Sequence, residues 1–153
     1  LQRSLHDRLT GLPNRDLLND RLNQALALAR RDSERHAGFF VDLDGFKNVN
    51  DELGHEVGDA VLREIARRLV STMRETDTIS RLGGDEFFLL VQDIGSCDAA
   101  AHLADKLIWI IEQPISGYAD APPISASIGI CLFPQMGLEN TPDAIIRCAD
   151  LAM

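Results

Sequence analysis

Two adjacent glycines, Gly83 and Gly84, separate two short apolar segments and constrain the fold of this chain more than any other feature. The segments, residues 78–82 and 86–91, have the length and composition of β-strands. A two-residue Gly-Gly connection tolerates positive φ at both positions, which a tight hairpin requires. The sequence therefore predicts a hairpin whose tip is Gly83 and Gly84, with Asp85 and Glu86 directly after the tip.

Hydrophobic periodicity places the other elements around this hairpin. Apolar residues recur at helical spacing within 14–31, from Asp59 onwards and within 98–112, which predicts three amphipathic helices. Apolar runs at 39–43 and 125–132 predict two further strands, and Thr141 followed by proline is a helix start signal. The connections at 45–54 and 113–123 are rich in polar residues, glycine or proline, and are predicted as loops.

The order of the core elements is strand, helix, strand, strand, helix, strand. With right-handed crossovers this βαββαβ order predicts an α+β domain, a ferredoxin-like or palm-like antiparallel sheet with helices packed on one face. The 153 residues suit one domain and contain no internal linker. Because the chain starts at Leu1 and stops at Met153 inside an apparent helix, we expect 1–153 to be a single domain excised from a longer protein and truncated in its last helix.

The charge of the chain limits its partners. A formal net charge of −9 should repel DNA, RNA and anionic lipid, so we expect no nucleic-acid or membrane contact from this segment. The charge does not exclude a nucleotide, because clustered carboxylates hold divalent cations that in turn hold phosphates. No apolar run approaches the roughly 20 residues of a membrane span, and no secretory signal is visible.

The three cysteines are scattered and lack CxxC spacing. Cys97, Cys131 and Cys148 each lie in an apolar stretch, which predicts buried, reduced thiols. Reduced thiols are typical of a cytoplasmic protein. We therefore expect a cytoplasmic domain, although the full-length protein could be anchored to a membrane through segments outside this sequence.

Acidic residues stand at the ends of the predicted strands. Asp42 ends the first strand with Asp44 two residues later, and Asp85 and Glu86 follow the hairpin tip. The first strand is central in this topology, so its end and the hairpin tip can converge. Carboxylates there are costly unless a cation compensates them, and oxygen ligands suit Mg²⁺ or Mn²⁺. For any single carboxylate, a solvated loop position is the alternative.

An EF-hand is a sharper alternative that the spacing excludes. Gly45 comes two residues too early for the calcium loop, and Phe46 stands where an oxygen ligand is needed. No Walker-type or GxGxxG phosphate loop occurs either.

Five motifs in order resemble the GGDEF-domain diguanylate cyclases over essentially the whole chain, and imply a nucleotidyl-cyclase-like form of the predicted fold. They are Asp7-Arg8-Leu9-Thr10-Gly11-Leu12-Pro13-Asn14-Arg15, then Asp42-Leu43-Asp44-Gly45-Phe46-Lys47 with Asn50-Asp51-x-x-Gly54-His55-x-x-Gly58-Asp59, Arg81-Leu82-Gly83-Gly84-Asp85-Glu86-Phe87, Ser127-Ile128-Gly129-Ile130 and Ala149-Asp150-Leu151-Ala152-Met153.

The resemblance implies that two GTP molecules are condensed into cyclic di-GMP, with release of pyrophosphate and with two Mg²⁺ (or Mn²⁺) ions per active site. It implies that Asp42, Asp85 and the Leu43 carbonyl bind the metals. Asp85 or Glu86 would help to remove the proton from the attacking 3′-hydroxyl, and which of the two does so stays open. Lys47 would bind the phosphates and steady the charge that develops during transfer.

The resemblance also implies how GTP is held. Asn50 and Asp59 would read guanine, because a carboxylate accepts from both N1–H and N2–H of that base. His55 lies between them and would contact the substrate. The backbone amides of Gly45 and Phe46 would cradle phosphate oxygens, and Gly83 and Gly84 would leave room for the ribose and phosphates. For Asp59 a helix N-cap is the alternative; for Asn50, Lys47 and His55 it is an ordinary turn or solvated residue.

A regulatory motif precedes the hairpin. The segment from Arg74 to Asp77 matches the RxxD motif of the family, which in relatives binds the product cyclic di-GMP. Arg74 would contact guanine or phosphate. An i,i+3 ion pair at a helix end is the alternative.

Three functions stay open. The first is an active cyclase, which requires a second GGDEF domain facing it in a homodimer. The second is a catalytically silent GTP-binding domain that regulates an attached phosphodiesterase (EAL) or sensor module, and the third is a cyclic di-GMP receptor. The intact acidic and base-reading residues favour the cyclase. The family's last helix continues into a tyrosine and a phosphate-binding lysine beyond Met153, so we expect weak phosphate affinity from the chain without them.

Overall fold

The computed structural model describes residues 4–153, which form a four-stranded antiparallel sheet and five helices. The elements are α1 (Arg15–Asp32), β1 (His36–Asp44), α2 (Phe46–Leu53), α3 (His55–Thr72), β2 (Thr78–Gly83), β3 (Glu86–Val91), α4 (Cys97–Glu112), β4 (Ser125–Phe133) and α5 (Pro142–Leu151). The strand order is β2-β3-β1-β4 and every pair is antiparallel. The predicted α+β architecture with a central first strand is confirmed.

Helices cover both faces of the sheet, so the prediction of helices on one face is wrong. Phe39, Val41 and Leu43 of β1 belong to a core with α2, α3 and α4, whereas Phe40 packs into a second core with α1 and α5. The run of consecutive apolar residues in β1 is the pattern of a strand buried on both sides. The βαββαβ order omits α1 and α5, which cover the second face.

Residues 45–54 were predicted as a loop and instead contain α2. Phe46 and Val49 are buried at helical spacing, and their burial outweighs the low helix preference of the surrounding Asn and Asp residues. The glycines on either side, Gly45 and Gly54, adopt φ values of 86° and 89°. Helix α3 consequently starts at His55, four residues before the predicted start at Asp59. Asp59 lies inside α3, which excludes the N-cap alternative.

The predicted start signals and the hairpin are confirmed. The side chains of Asn14 and Thr141 accept hydrogen bonds from the amides of Leu17 and Ala144, which caps α1 and α5. In the hairpin, Gly83 and Gly84 both have positive φ, at 140° and 50°. Gly83 pairs with Glu86 at the end of β2, so the turn consists of Gly84 and Asp85, one residue later than the predicted Gly83–Gly84 tip.

The cysteines differ from one another in exposure. Cys131 is buried and Cys148 half-buried, but Cys97 is exposed at the start of α4, so the prediction of three buried thiols is wrong for Cys97. An apolar neighbourhood in sequence did not reveal that the first turn of α4 faces solvent. No helix within residues 4–153 combines the length and hydropathy needed to cross a membrane.

Candidate nucleotide and metal site

A row of polar side chains crosses one end of the sheet. The strand register places Asp42 of β1 between Glu86 of β3 and Ser127 of β4. Residues paired across strands have side chains on the same face. The neighbouring row on that face, which includes Gly129, lies under the end of α5, because a Cβ on Gly129 would overlap the Ala149 carbonyl. Helix α5 covers that neighbouring row, and Ser127 of the acidic row is exposed.

The electrostatics of this row are unfavourable in the absence of a cation. Burial and then the charges of Asp85, Glu86 and Asp44 raise the pKa of Asp42 to about 6. The side chains of Asp42 and Asp85 are close enough to share a hydrogen bond when one is protonated. Sequence reasoning predicted that the strand end and the hairpin tip converge, and the structure confirms it. A divalent cation is the natural compensation for such a pair.

The donor set fits magnesium, which commonly takes one or two carboxylates and completes its shell with water and substrate phosphates. Asp42 and Asp85 supply two carboxylates. Within residues 4–153, no three His, Cys, Asp or Glu side chains are grouped as a metal site in themselves. The Leu43 amide donates to the Asp85 carbonyl at 3.1 Å, which ties the end of β1 to the hairpin tip.

Asp44 is held apart from this pair. Its carboxylate accepts a hydrogen bond of 2.7 Å from the Ser127 hydroxyl, directly across the sheet from Asp42. Sequence reasoning did not include Ser127 in the site, although it belongs to one of the quoted motifs. Its position opposite Asp42 follows only from the β1–β4 register.

Arg81 supports the hairpin tip, and sequence reasoning missed this role. Its Nε and Nη2 donate to the Gly84 carbonyl at 3.0 and 2.8 Å, and its Nη1 donates to Asp7 Oδ1 at 2.9 Å. The other Asp7 oxygen accepts from the amide and hydroxyl of Thr10. Burial raises the pKa of Asp7, but the Thr10 bonds and the Arg81 charge outweigh it and hold the pKa below its usual value. Both residues lie in recognised motifs, but their pairing across the chain is not visible in sequence.

The start of α2 forms the second part of the site. Gly45 follows directly after Asp44, and a Cβ at this position would lie 2.5 Å from the Pro123 carbonyl oxygen. Only glycine combines the positive φ with this close approach. The amides of Phe46 and Lys47 are then free at the helix N-terminus, where phosphate groups commonly bind. Lys47 is exposed and Phe46 is buried.

The predicted base-reading residues lie where α2 meets α3. A Cβ on Gly58 would overlap the amide of Asn50, so the Asn50 side chain lies on the α3 backbone one residue before Asp59. Asn50 Oδ1 is buried and has no hydrogen-bond partner within the described part of the chain. A buried unpaired acceptor costs about 1–3 kcal/mol. His55 is exposed at the first residue of α3, and the space beside Gly83 and Gly84 is open.

Arg74 and Asp77 lie at the opposite end of the sheet from the acidic row. Asp77 Oδ2 accepts from the Arg74 amide at 3.0 Å, and Oδ1 accepts from Arg74 Nη2 and the Gln92 amide at 3.3 Å each. The Asp77 side chain is 2% exposed and that of Arg74 is 56% exposed. The i,i+3 ion pair between Arg74 and Asp77 is therefore present in the structure. Of these two side chains, Arg74 is the one that a ligand can reach.

Fold and site together define a palm-like, nucleotidyl-cyclase-like domain, in which an acidic sheet end lies beside a helix N-terminus. The family model described as "Diguanylate cyclase, GGDEF domain" matches residues 4–153. The chain belongs to this GGDEF family.

Curated relatives and solved structures agree. Over 153 residues the chain is 51% identical to the bifunctional diguanylate cyclase/cyclic di-GMP phosphodiesterase MucR of Pseudomonas aeruginosa, and covers 22% of it. It is 43% identical over 150 residues to the diguanylate cyclase TpbB of that organism, covering 97% of this chain and 34% of TpbB. A sensory box/GGDEF family protein from Caulobacter crescentus CB15 superimposes with a TM-score of 0.89 at 39% identity, over 97% and 95% of the two chains. The chain thus spans between 22% and 34% of the length of these curated relatives.

Proposed function

We propose that this domain is a diguanylate cyclase that condenses two GTP molecules into cyclic di-GMP and releases pyrophosphate. The observation that carries the proposal is the convergence of Asp42, Asp85 and Glu86 at one sheet end, where burial and then the repulsion between the carboxylates raise the pKa of Asp42 to about 6. Side chains held in this costly arrangement are typical of functional sites. Such a reaction uses cytoplasmic GTP, so the proposed location is the cytoplasm.

Asp42, Asp85 and the Leu43 carbonyl are the proposed ligands of two Mg²⁺ (or Mn²⁺) ions. When bound, the ions would neutralise triphosphate charge and make the attacking 3′-hydroxyl more acidic. Glu86 lies directly across from Asp42 in the β1–β3 pair, and Asp85 adjoins it on the turn. One of these two carboxylates would accept the proton of that hydroxyl.

The start of α2 is the proposed phosphate site. The amides after Gly45, including that of Phe46, lie in the first turn of α2, where the helix dipole favours negative charge. Lys47 in the first turn adds a full positive charge. Gly83 and Gly84 offer open space above the hairpin for the ribose and phosphates.

Guanine selection is assigned to Asn50 and Asp59, with His55 as a further contact to the substrate. The position of Asn50 supports this assignment, because its side chain packs on the α3 backbone one residue before Asp59 and an amide group can both donate to and accept from a base. The Asp59 carboxylate would accept from both N1–H and N2–H of guanine. Adenine does not offer that pair of donors, so Asp59 would favour guanine.

Product inhibition is assigned to the RxxD motif. Arg74 is the proposed contact with cyclic di-GMP, since its guanidinium is exposed. Asp77 is buried and orients Arg74, and this division of roles refines the expectation that both residues contact the product.

The test is to incubate the chain with GTP and Mg²⁺ at high protein concentration and to measure cyclic di-GMP by mass spectrometry. We expect product from the wild type and at least about a 100-fold loss in Asp85→Asn, as for loss of a metal-binding carboxylate. Asp51→Asn is the matched control, because Asp51 is an exposed carboxylate on α2 outside the proposed site. Unchanged product formation by Asp85→Asn would contradict the proposal.

A catalytically silent regulatory domain is the second candidate. It is favoured by the likeness to the cyclic di-GMP phosphodiesterase NbdA of Pseudomonas aeruginosa, whose name includes no cyclase activity; the chain is 36% identical to it over 152 residues and covers 19% of it. GTP binding without product formation would support this candidate over the first.

A further inference from the structure

The segment after β3 joins the proposed product site to a buried histidine. The Gln92 amide donates to Asp77 Oδ1, and the Gln92 carbonyl accepts a hydrogen bond from the Arg74 guanidinium. The backbone of Gln92 therefore holds the Arg74 side chain in its observed direction through these two hydrogen bonds. The next residue, Asp93, has a φ of 51°, a left-handed conformation that L side chains rarely adopt.

Asp93 is held in this conformation by His36. The Asp93 amide donates to His36 Nδ1 at 3.0 Å, and the neighbouring Ile94 amide donates to the Arg35 carbonyl at 3.1 Å. The same turn forms one wall of the surface cavity beside Arg74, where Asp93 and Ile94 lie with Met73 and Leu103. The wall of the proposed product site therefore depends on His36 Nδ1 acting as a hydrogen-bond acceptor.

His36 is fully buried at the start of β1. The centroid of its ring lies 5.6 Å from that of Phe133 on β4. The backbone carbonyl of Ala25 on α1 lies next to the ring. The charged groups that face it are Glu34, whose carboxylate lies 3.8 Å from Nε2, and Asp93. Burial is the largest influence and lowers the pKa of His36, while Glu34 and Asp93 act in the opposite direction. The imidazole is neutral at neutral pH and gains its proton as the pH falls.

Protonation changes the hydrogen-bonding capacity of the ring. Neutral imidazole has one acceptor nitrogen, and the Asp93 amide uses it; imidazolium has two donors and no acceptor. The Asp93 amide then faces an N–H group, and the left-handed turn loses the bond that stabilises it. Nε2 is buried without a hydrogen-bond partner within the described residues, and the Glu34 carboxylate, 3.8 Å away, is the acceptor nearby for the protonated ring.

We propose that neutral His36 holds the Gln92–Asp93 turn in the shape that binds cyclic di-GMP beside Arg74, so that acidification weakens product binding and relieves inhibition. This inference rests on the product site proposed above. Protonation of His36 would change the shape of one wall of that site. The acidic row lies at the other end of the sheet and is not involved.

The test compares cyclic di-GMP affinity by calorimetry at about pH 8 and at a lower pH at which NMR shows that the His36 ring has gained its proton. We expect the wild type to lose about tenfold in affinity at the lower pH, the size of a typical coupling between sites. His36→Asn keeps an acceptor near the Nδ1 position and cannot be protonated, so its affinity should change little. His102→Asn is the matched control, because His102 is exposed on α4 beside Leu103; it should behave as the wild type.

Binding in the wild type that is equal at the two pH values would overturn this proposal alone, as would an equal loss in His36→Asn. An absence of binding even at pH 8 would overturn the product site itself and this proposal with it. Should His36→Asn fail to fold, NMR of the wild type without ligand decides: the Asp93 amide shift must titrate together with the His36 ring, and independent titration would contradict the proposal.

Discussion

At the scale of single residues, Asp42 shows how the proposed function conflicts with stability. Its neighbours in the fold are an apolar strand and three other carboxylates, and these raise its pKa to about 6. A carboxyl whose pKa is higher in the folded than in the unfolded state favours folding while it is protonated. Its contribution is present below about pH 4 and is lost as the pH rises through about 6.

Asp42→Asn should therefore stabilise the metal-free domain at neutral pH. We expect a gain of about 1 kcal/mol in the free energy of unfolding, after discounting for solvent screening. The gain should disappear near pH 4, where the wild-type carboxyl is also protonated. Thermal unfolding by circular dichroism at the two pH values tests this. Ser127→Ala leaves the carboxylate row intact and is a control; a less stable Asp42→Asn at neutral pH would contradict the argument.

Most residues of the candidate site could be found in the sequence, because each belongs to a contiguous motif. Asp42 and Asp85 could also be connected by topology, since a central strand end and a hairpin tip meet. Ser127 and Arg81 could not be assigned in this way. Their contacts depend on the β1–β4 register and on a turn near the N-terminus, and neither is encoded in a local pattern.

At the scale of elements, the hairpin tip is held by a single guanidinium. Arg81 donates both to the Gly84 carbonyl and to Asp7, so one planar group connects the tip with the turn before α1. A lysine offers one ammonium group and cannot reproduce this forked arrangement. The position of Asp85, one residue after Gly84, depends on that connection.

Arg81→Lys and Arg81→Met should both destabilise the domain and lower product formation. Because the Arg81 and Asp7 side chains are 13% and 18% exposed, we expect about 2 kcal/mol for Arg81→Met in urea unfolding. A double-mutant cycle with Asp7→Asn should give a coupling of about 1 kcal/mol. Arg67→Met is the control, since the Arg67 side chain is 66% exposed and solvent screens its ion pair with Glu64, so its loss should have little effect. An equal loss of stability in Arg81→Met and in Arg67→Met would contradict this role of Arg81.

The elements themselves were predictable to different degrees. Strands and helices with a clear period or cap were found, including the hairpin and the Thr141 start of α5. Helix α2 was missed because its polar composition conceals two buried residues, Phe46 and Val49. The second helical layer was missed because periodicity shows that a helix has an apolar face and does not show which side of the sheet that face covers.

At the scale of the whole molecule, the proposed reaction requires two domains that carry like charge. The formal net charge is −9, and the acidic row lies on the surface that would face the second copy. One domain supplies one half of a two-fold symmetric product, so a face-to-face homodimer is the proposed catalytic unit. Electrostatic repulsion between such faces slows encounter and is reduced by salt.

The rate per domain should therefore rise with protein concentration and, in dilute solution, with ionic strength. Below the dimerisation constant a tenfold increase in protein should raise the specific activity by about tenfold, by mass action. Raising the salt concentration from about 0.01 M to about 0.15 M shortens the Debye length from about 30 Å to about 8 Å and should raise the rate further. Both dependences are measured as cyclic di-GMP formed per domain at saturating GTP and Mg²⁺.

Adding excess Asp85→Asn chain should inhibit the wild type by forming mixed dimers, whereas Asp51→Asn should not. A specific activity that is constant across concentration, with no inhibition by the Asp85 variant, would mean that one domain completes the reaction alone.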